Sequence, residues 1–307
     1  MHALDRALDL TIVPGYTRLG YSLRSRWWHE LPRMDGRVVL VSGATSGIGL
    51  AAVTAFAELG ARVQVLARNR ERGERARLHS GAERVWDCDV SSLRSVREFA
   101  RRFREEQPEL HVLVNNAGLL AAERSLSVDG HELALATNVL GPFLLTGLLV
   151  PALEAAAPSA VVNVSSGGMY TARLSVGDLQ SERHDYDGAT VYGRHKRAQV
   201  VLSEMWAERL RGTGVAVHSM HPGWVDTPGL ERSLPRFHRL MKPALRRPEE
   251  GADTIVWLAA SEHPSGRFWH DREERPTHIL PRTRESEDER RRLWTECVRL
   301  TGLEVPE

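Results

Sequence analysis

The chain has 307 residues, 42% of them hydrophobic and 26% charged, with 15 prolines, which excludes a disordered or fibrous protein and suits a single α/β unit. Lysine and arginine total 41 against 40 aspartates and glutamates, and a net charge of +1 argues against a nucleic-acid partner, which would draw on a basic excess. Only Cys88 and Cys297 are present, so a disulfide scaffold is excluded and a reducing, cytoplasmic setting is expected.

Residues 1–35 mix Tyr16, Tyr21, Trp27 and Trp28 with Arg18, Arg24, Arg26 and Arg33. Such a segment either packs on its own domain or makes peripheral membrane contact with Trp27 and Trp28 inserted. Asp5 and Asp9 interrupt its first turns, which speaks against a secretory leader. From Arg37 onward, short β-branched runs alternate with helical patterns. Strands are predicted at Val38–Val41, Arg62–Leu66, Glu83–Trp86, His111–Val114, Ala160–Val164 and Val215–Met220. Helices are predicted over Ile48–Leu59, Ser92–Glu106 and Val191–Leu210. The uncharged run Leu133–Leu153 has the length of a membrane span. Thr137, Asn138, Pro142 and Thr146 within it, and Glu132 and Glu154 at its ends, point instead to a helix buried against a sheet. Beyond Arg272, the charged stretch Arg284–Arg292 reads as a solvated helix face followed by apolar Leu293, Trp294, Val298 and Leu300. The alternation implies a Rossmann-like, doubly wound parallel sheet in one domain, residues 36–270, with extensions at 1–35 and 271–307. Ligands then bind beyond the carboxyl ends of the strands.

The first strand leads into Ser42-Gly43-Ala44-Thr45-Ser46-Gly47-Ile48-Gly49 and then a helix. Glycines here let the backbone approach a pyrophosphate, and the helix N-terminus offers unpaired N–H groups and a favourable dipole. The end of the second strand carries Arg68-Asn69-Arg70, where an NAD site would place an acid. Arginine can bind a 2′-phosphate through a fork of donors, so NADP(H) is expected over NAD(H), with Arg68 the principal contact.

Tyr192 and Lys196 are four apart at the start of a helix and share a face. A fixed ammonium beside a phenol, whose pKa is ordinarily about 10, should pull it toward the working range. Such a pair often arises by chance, but its company is specific. Ser165-Ser166 follow the fifth strand, and Asn138 is an amide inside an uncharged helix, where it needs a reason. With the Gly-x-x-x-Gly-x-Gly spacing, these residues resemble the short-chain dehydrogenase/reductase family, whose pattern usually begins with Thr where this chain has Ser42. The resemblance spans about residues 37–270, and Tyr186-Asp187-Gly188, Gln199–Leu202 and Phe268–Arg272 narrow it to one subgroup.

The resemblance implies roles for residues at matching positions. Tyr192 would exchange a proton with the substrate oxygen, Lys196 would tune Tyr192 and bond the nicotinamide ribose, and Ser166, rather than Ser165, would hold the oxygen. Asn138 would orient a water linking Lys196 to solvent. Ser42, Gly43, Ser46, Gly47, Ile48 and Gly49 would cradle the cofactor, Asp89 and Val90 border the adenine, and Asn115, Ala117 and Gly118 follow the fourth strand. Pro222, Gly223, Val225 and Thr227 would pack the nicotinamide. The expected function is an NADP(H)-dependent oxidoreductase interconverting a carbonyl and an alcohol. Trp224, Leu230, Leu234, Phe237, Leu240 and Met241 suggest a lid for a hydrophobic small molecule. The rival reading is an NADP(H)-binding regulatory protein with little or no turnover, and a sugar-nucleotide epimerase is disfavoured by the glycine spacing. A homo-oligomer is expected and a metal site is not, since His218 and His221 lack partners in sequence.

Overall fold

Runs of Val and Leu with no polar alternation need apolar cover on both faces, and the chain supplies it. The computed structural model describes residues 12–304; the first eleven residues, with Asp5 and Asp9, and the last three lie outside the described residues. Strands β1 (Val38–Ser42), β2 (Arg62–Ala67), β3 (Arg84–Asp87), β4 (Val112–Asn115), β5 (Ser159–Val164), β6 (Val215–Met220), β7 (Phe268–His270) and β8 (Glu273–Glu274) form one sheet. Its order is 3-2-1-4-5-6-7-8. Every pairing through β7 is parallel, and β8 turns back antiparallel on β7. The order reverses between β1 and β4, which opens a crevice at their carboxyl ends.

Helices α1 (Ile12–Tyr16), α2 (Arg18–Arg24), α3 (Gly47–Glu58), α4 (Arg70–Ser80), α5 (Leu93–Glu106), α6 (Leu133–Ala155), α7 (Gly188–Arg209), α8 (Pro228–Ser233), α9 (Pro235–Met241), α10 (Pro248–Ala260) and α11 (Glu287–Thr301) complete the described chain. Helices α3 and α10 cover one face of the sheet through Val53, Phe56, Ile255 and Leu258. Helices α5, α6, α7 and α11 cover the other through Phe99, Leu144, Val201 and Leu293. The apolar run Leu133–Ala155 is long enough to span a membrane, its best 18-residue window having mean hydropathy 1.9, but 72% of that window is buried inside the fold.

The charged run of the C-terminal extension is not simply a solvated face. Arg290 has only 12% of its side chain exposed and pairs with Glu204 of α7 at 2.5 Å. That ion pair and Trp294, packed 4.9 Å from Trp206 and 5.0 Å from Phe143, seal α11 over α6 and α7. The described part of the N-terminal extension also packs on the domain. Tyr16 and Arg24 are buried, and Trp28 lies under Arg272, although Trp27 is 55% exposed.

Candidate active site

The glycine loop between β1 and α3 is tight for reasons of backbone and packing. Gly43 and Gly47 have φ of +64° and +55°, a region that disfavours side chains. A Cβ on Gly49 would collide with the carbonyl oxygen of Gly43, so this third glycine lets α3 seat against the strand end. Ser46 is the N-cap of α3, yet its side chain makes no capping bond, which leaves the first amides of the helix available to a ligand.

The loop is fastened from two sides. Ser42 Oγ donates to the Val114 carbonyl (3.2 Å) and accepts from the amides of Asn116 and Ala117, both 3.1 Å. Asn116 Nδ2 donates to the carbonyls of Ser42 and Gly43, each at 3.1 Å. Asn116, which fastens the loop in this way, was not singled out from the sequence, where the only signal was its place beside Asn115 after β4. From the far side, the Thr227 methyl stands 3.0 Å from where a Cβ on Gly47 would lie. Thr227 also caps α8, accepting from the Leu230 amide at 3.2 Å. Val225 is buried, bridges to Arg246 and packs beside Gly251 of α10, where Ile48 also makes contact.

Neighbouring strand ends carry the remaining candidate cofactor residues. Arg68 is exposed after β2, and among the described residues it has no ion-pair partner. Arg70, by contrast, is held by Asp87 at 2.9 Å and Glu74 at 3.3 Å. Asp89 accepts from the amide (3.0 Å) and hydroxyl (2.7 Å) of Ser91, and the Val90 carbonyl abuts Gly141 of α6. Asn115 is buried and bonds Thr146 (3.1 Å) and Asn163 (2.8 Å), so it ties β4 to α6 and β5.

Tyr192, Lys196, Ser166 and Asn138 converge where β4, β5 and α7 meet. Asp187 caps α7 through the Thr190 amide at 3.1 Å and fixes the first turn, directly before Tyr192. Ser166 stands beside Tyr192 and lowers its pKa, whereas Ser165 is turned away and donates to the Lys196 carbonyl at 2.9 Å. Lys196 is buried; its Nζ donates to the Val164 carbonyl at 2.8 Å and lies 5.4 Å from the Tyr192 ring centre. Asn138 occupies a π-turn, Ala136–Leu140, inside α6. Its Oδ1 accepts from the Leu119 amide and its Nδ2 donates to the Leu119 carbonyl, both at 2.8 Å. Oδ1 and Lys196 Nζ each lie 3.5 Å from the Cβ position of Gly118, so amide and ammonium face one spot.

The protonation states differ from the sequence-based expectation. Burial pushes the Tyr192 phenol up to about 12, and the neighbouring Ser166 lowers it only in part. Burial also brings Lys196 down to about 7. Desolvation acts on both charged forms and outweighs the attraction between them in the ligand-free site.

Helices α8 and α9 arch over this corner. Ser233 Oγ donates to the Leu120 carbonyl at 3.1 Å, His238 meets Asp226 at 2.7 Å, and Trp224 packs 5.2 Å from Phe237. A glycine cradle with unclaimed helix amides, an unpaired arginine at the β2 end and a loop closing from the Thr227 side fit an extended dinucleotide. The described residues contain no cluster suited to a metal.

A family model described as short chain dehydrogenase matches residues 37–236. Dehydrogenase/reductase SDR family member 12 of Homo sapiens is 41% identical over 279 residues, 86% of each chain. Retinol dehydrogenase 12 of Homo sapiens is 36% identical over 282 residues, 88% of each chain. Among solved structures, an uncharacterized protein from Mycobacterium Paratuberculosis superposes with a TM-score of 0.75 at 27% identity, covering 91% of this chain and 98% of that one. The Pseudomonas aeruginosa RhlG/NADP active-site complex superposes with a TM-score of 0.63 at 28% identity, covering 78% of this chain and 96% of that one.

Proposed function

This chain belongs to the short chain dehydrogenase family of oxidoreductases, and from that premise we propose that it interconverts a carbonyl and an alcohol on a hydrophobic small molecule with NADP(H), Tyr192 acting as acid and base. The observation that carries the reading is the placing of Tyr192 beside Ser166 at the carboxyl end of β5, with Lys196 one turn along α7 and the glycine loop alongside. A tyrosine and serine paired this way have little use in a protein that only senses nucleotide.

NADP(H), when bound, supplies or accepts the hydride. Gly43, Ser46, Gly47, Ile48 and Gly49 would hold its diphosphate, Asp89 and Val90 its adenine, and Ala117, Gly118, Pro222, Gly223, Val225 and Thr227 its nicotinamide half. Arg68 would hold the 2′-phosphate; the unpaired guanidinium supports NADP(H) over NAD(H), as does the similarity to the RhlG/NADP complex. At neutral pH Tyr192, with a pKa near 12, retains its proton, which is the state that carbonyl reduction requires. Ser166 positions the substrate oxygen, and Tyr192 transfers its proton there. Lys196, titrating at about 7, gains and loses a proton readily near neutrality and can restore the one Tyr192 gives up. Asn138, facing the same spot, would order the water that feeds Lys196 from solvent. Trp224 and Phe237 of α9 supply apolar cover for the substrate, in keeping with a retinol dehydrogenase among the relatives.

The test is Tyr192→Phe, assayed by NADPH oxidation with long-chain and retinoid-like aldehydes. Turnover should fall about 100-fold or more while NADPH binding, read by tryptophan fluorescence, stays at the parent level. Equal turnover in parent and variant removes Tyr192 from the mechanism. NADPH binding with no turnover on any carbonyl, in parent and variant alike, would favour the regulatory protein.

A further inference from the structure

Asp271 and Arg272 both have left-handed backbone, φ +53° and +58°, at the turn between β7 and β8. Such hairpin turns normally use Asn, Asp or Gly, so Arg272 is the exception, at a cost of roughly 1–2 kcal/mol. Side-chain bonds offset the strain. The Asp271 carboxylate accepts two bonds from Arg246 (2.5 and 2.8 Å) and one from Arg24 (2.7 Å), and all three residues are buried. Arg272 binds Asp253 through two bonds of 2.8 Å. Burial alone would favour the neutral acid, but His270 and Arg246 hold the Asp271 carboxyl far below the usual carboxylate range.

Arg246 directs its other donors to the carbonyls of Gly15 (3.0 Å), Tyr16 (3.1 Å), Thr17 (3.2 Å) and Pro222 (3.3 Å). Its guanidinium fills the space a side chain on Gly223 would need. Arg24 donates to the Gly15 carbonyl at 3.0 Å, and the Trp224 amide donates to the Tyr16 carbonyl at 2.8 Å. The Tyr16 ring stands edge-on 4.3 Å from His221 and 3.0 Å from the Cβ position of Gly167, the residue after Ser166.

We propose that Asp271 is a positioning residue: through Arg246 and Arg24 it locks residues 15–24 and the Pro222–Gly223 turn into one body against the Ser166–Gly167 corner, which makes the N-terminal segment part of the active site. The inference rests on the roles given above to Ser166 and to the Pro222–Thr227 loop. Neutralising Asp271 leaves two buried cations facing a neutral amide, and their repulsion frees the segment.

The experiment compares the full chain with Asp271→Asn and Arg24→Met, and with Trp294→Ala as a control that loosens the fold away from the site. Amide hydrogen exchange is measured without ligand, and NADPH dissociation constants are measured by tryptophan fluorescence. Exchange should rise at least tenfold in both 15–24 and 222–226 for Asp271→Asn and Arg24→Met, and the NADPH dissociation constant should rise at least tenfold. Trp294→Ala should leave both readouts at the parent level. Faster exchange confined to 15–24 with parent-like NADPH affinity overturns the proposal, as does the full pattern in Trp294→Ala. Should the parent itself not bind NADPH, the cofactor reading fails, while the joint exchange of the two segments still decides whether the clamp exists.

Discussion

Replacing Lys196 by Met isolates the electrostatic cost of the site. The ammonium is buried, its pKa falls from 10.5 to about 7, and the cause is desolvation. Because the folded pKa lies below the unfolded one, the unfolded chain holds the extra proton between them, and the stability of the parent rises with pH across that window. Below pH 7 the buried charge costs about 5 kcal/mol, from 1.36 kcal/mol per pKa unit. At pH 9 the cost shrinks to about 2 kcal/mol, since most of the folded-state lysine is then neutral. The Met side chain carries no such charge and loses the bond to Val164, worth about 1 kcal/mol. Urea denaturation of the ligand-free proteins should therefore show Lys196→Met more stable than the parent by about 4 kcal/mol at pH 6. The difference should narrow by about 2.5–3 kcal/mol on going to pH 9. A difference that is flat from pH 6 to pH 9, or that widens, would refute the assignment of a desolvated, titrating lysine.

Arg68→Glu should raise the NADPH dissociation constant at least tenfold and leave NADH within about twofold, because an acid repels only the extra phosphate. A parallel loss for both nucleotides in fluorescence titrations would deny Arg68 that role. Gly49→Ala drives a methyl into the Gly43 carbonyl and should cost about 1–3 kcal/mol in urea unfolding as α3 shifts off the strand end. An unchanged midpoint would mean the loop tolerates the side chain and the packing argument fails.

Sequence alone determined the features that depend on local chemistry. Val-rich runs located β1, β2, β4, β5 and β6, because strands buried on both faces admit little else. β3 was located by the run Glu83–Trp86, which overlaps Arg84–Asp87. The glycine loop and the Tyr192–Lys196 pair were legible because spacing on a turn or helix is fixed by covalent geometry, and Asn138 because an amide stands out inside an uncharged helix. Tertiary structure decided the rest. β7 and β8 are three and two residues long, too short for a periodic signal, and exist only because β6 offers an open edge. Asn116, Arg246 and Asp271 look like ordinary surface polar residues in sequence; only the packing of distant segments buries Arg246 and Asp271 and assigns their partners. The expected lowering of the Tyr192 pKa failed for the same reason. Spacing places a cation near a phenol, but the depth of burial, set by the whole fold, determines which protonation state each retains.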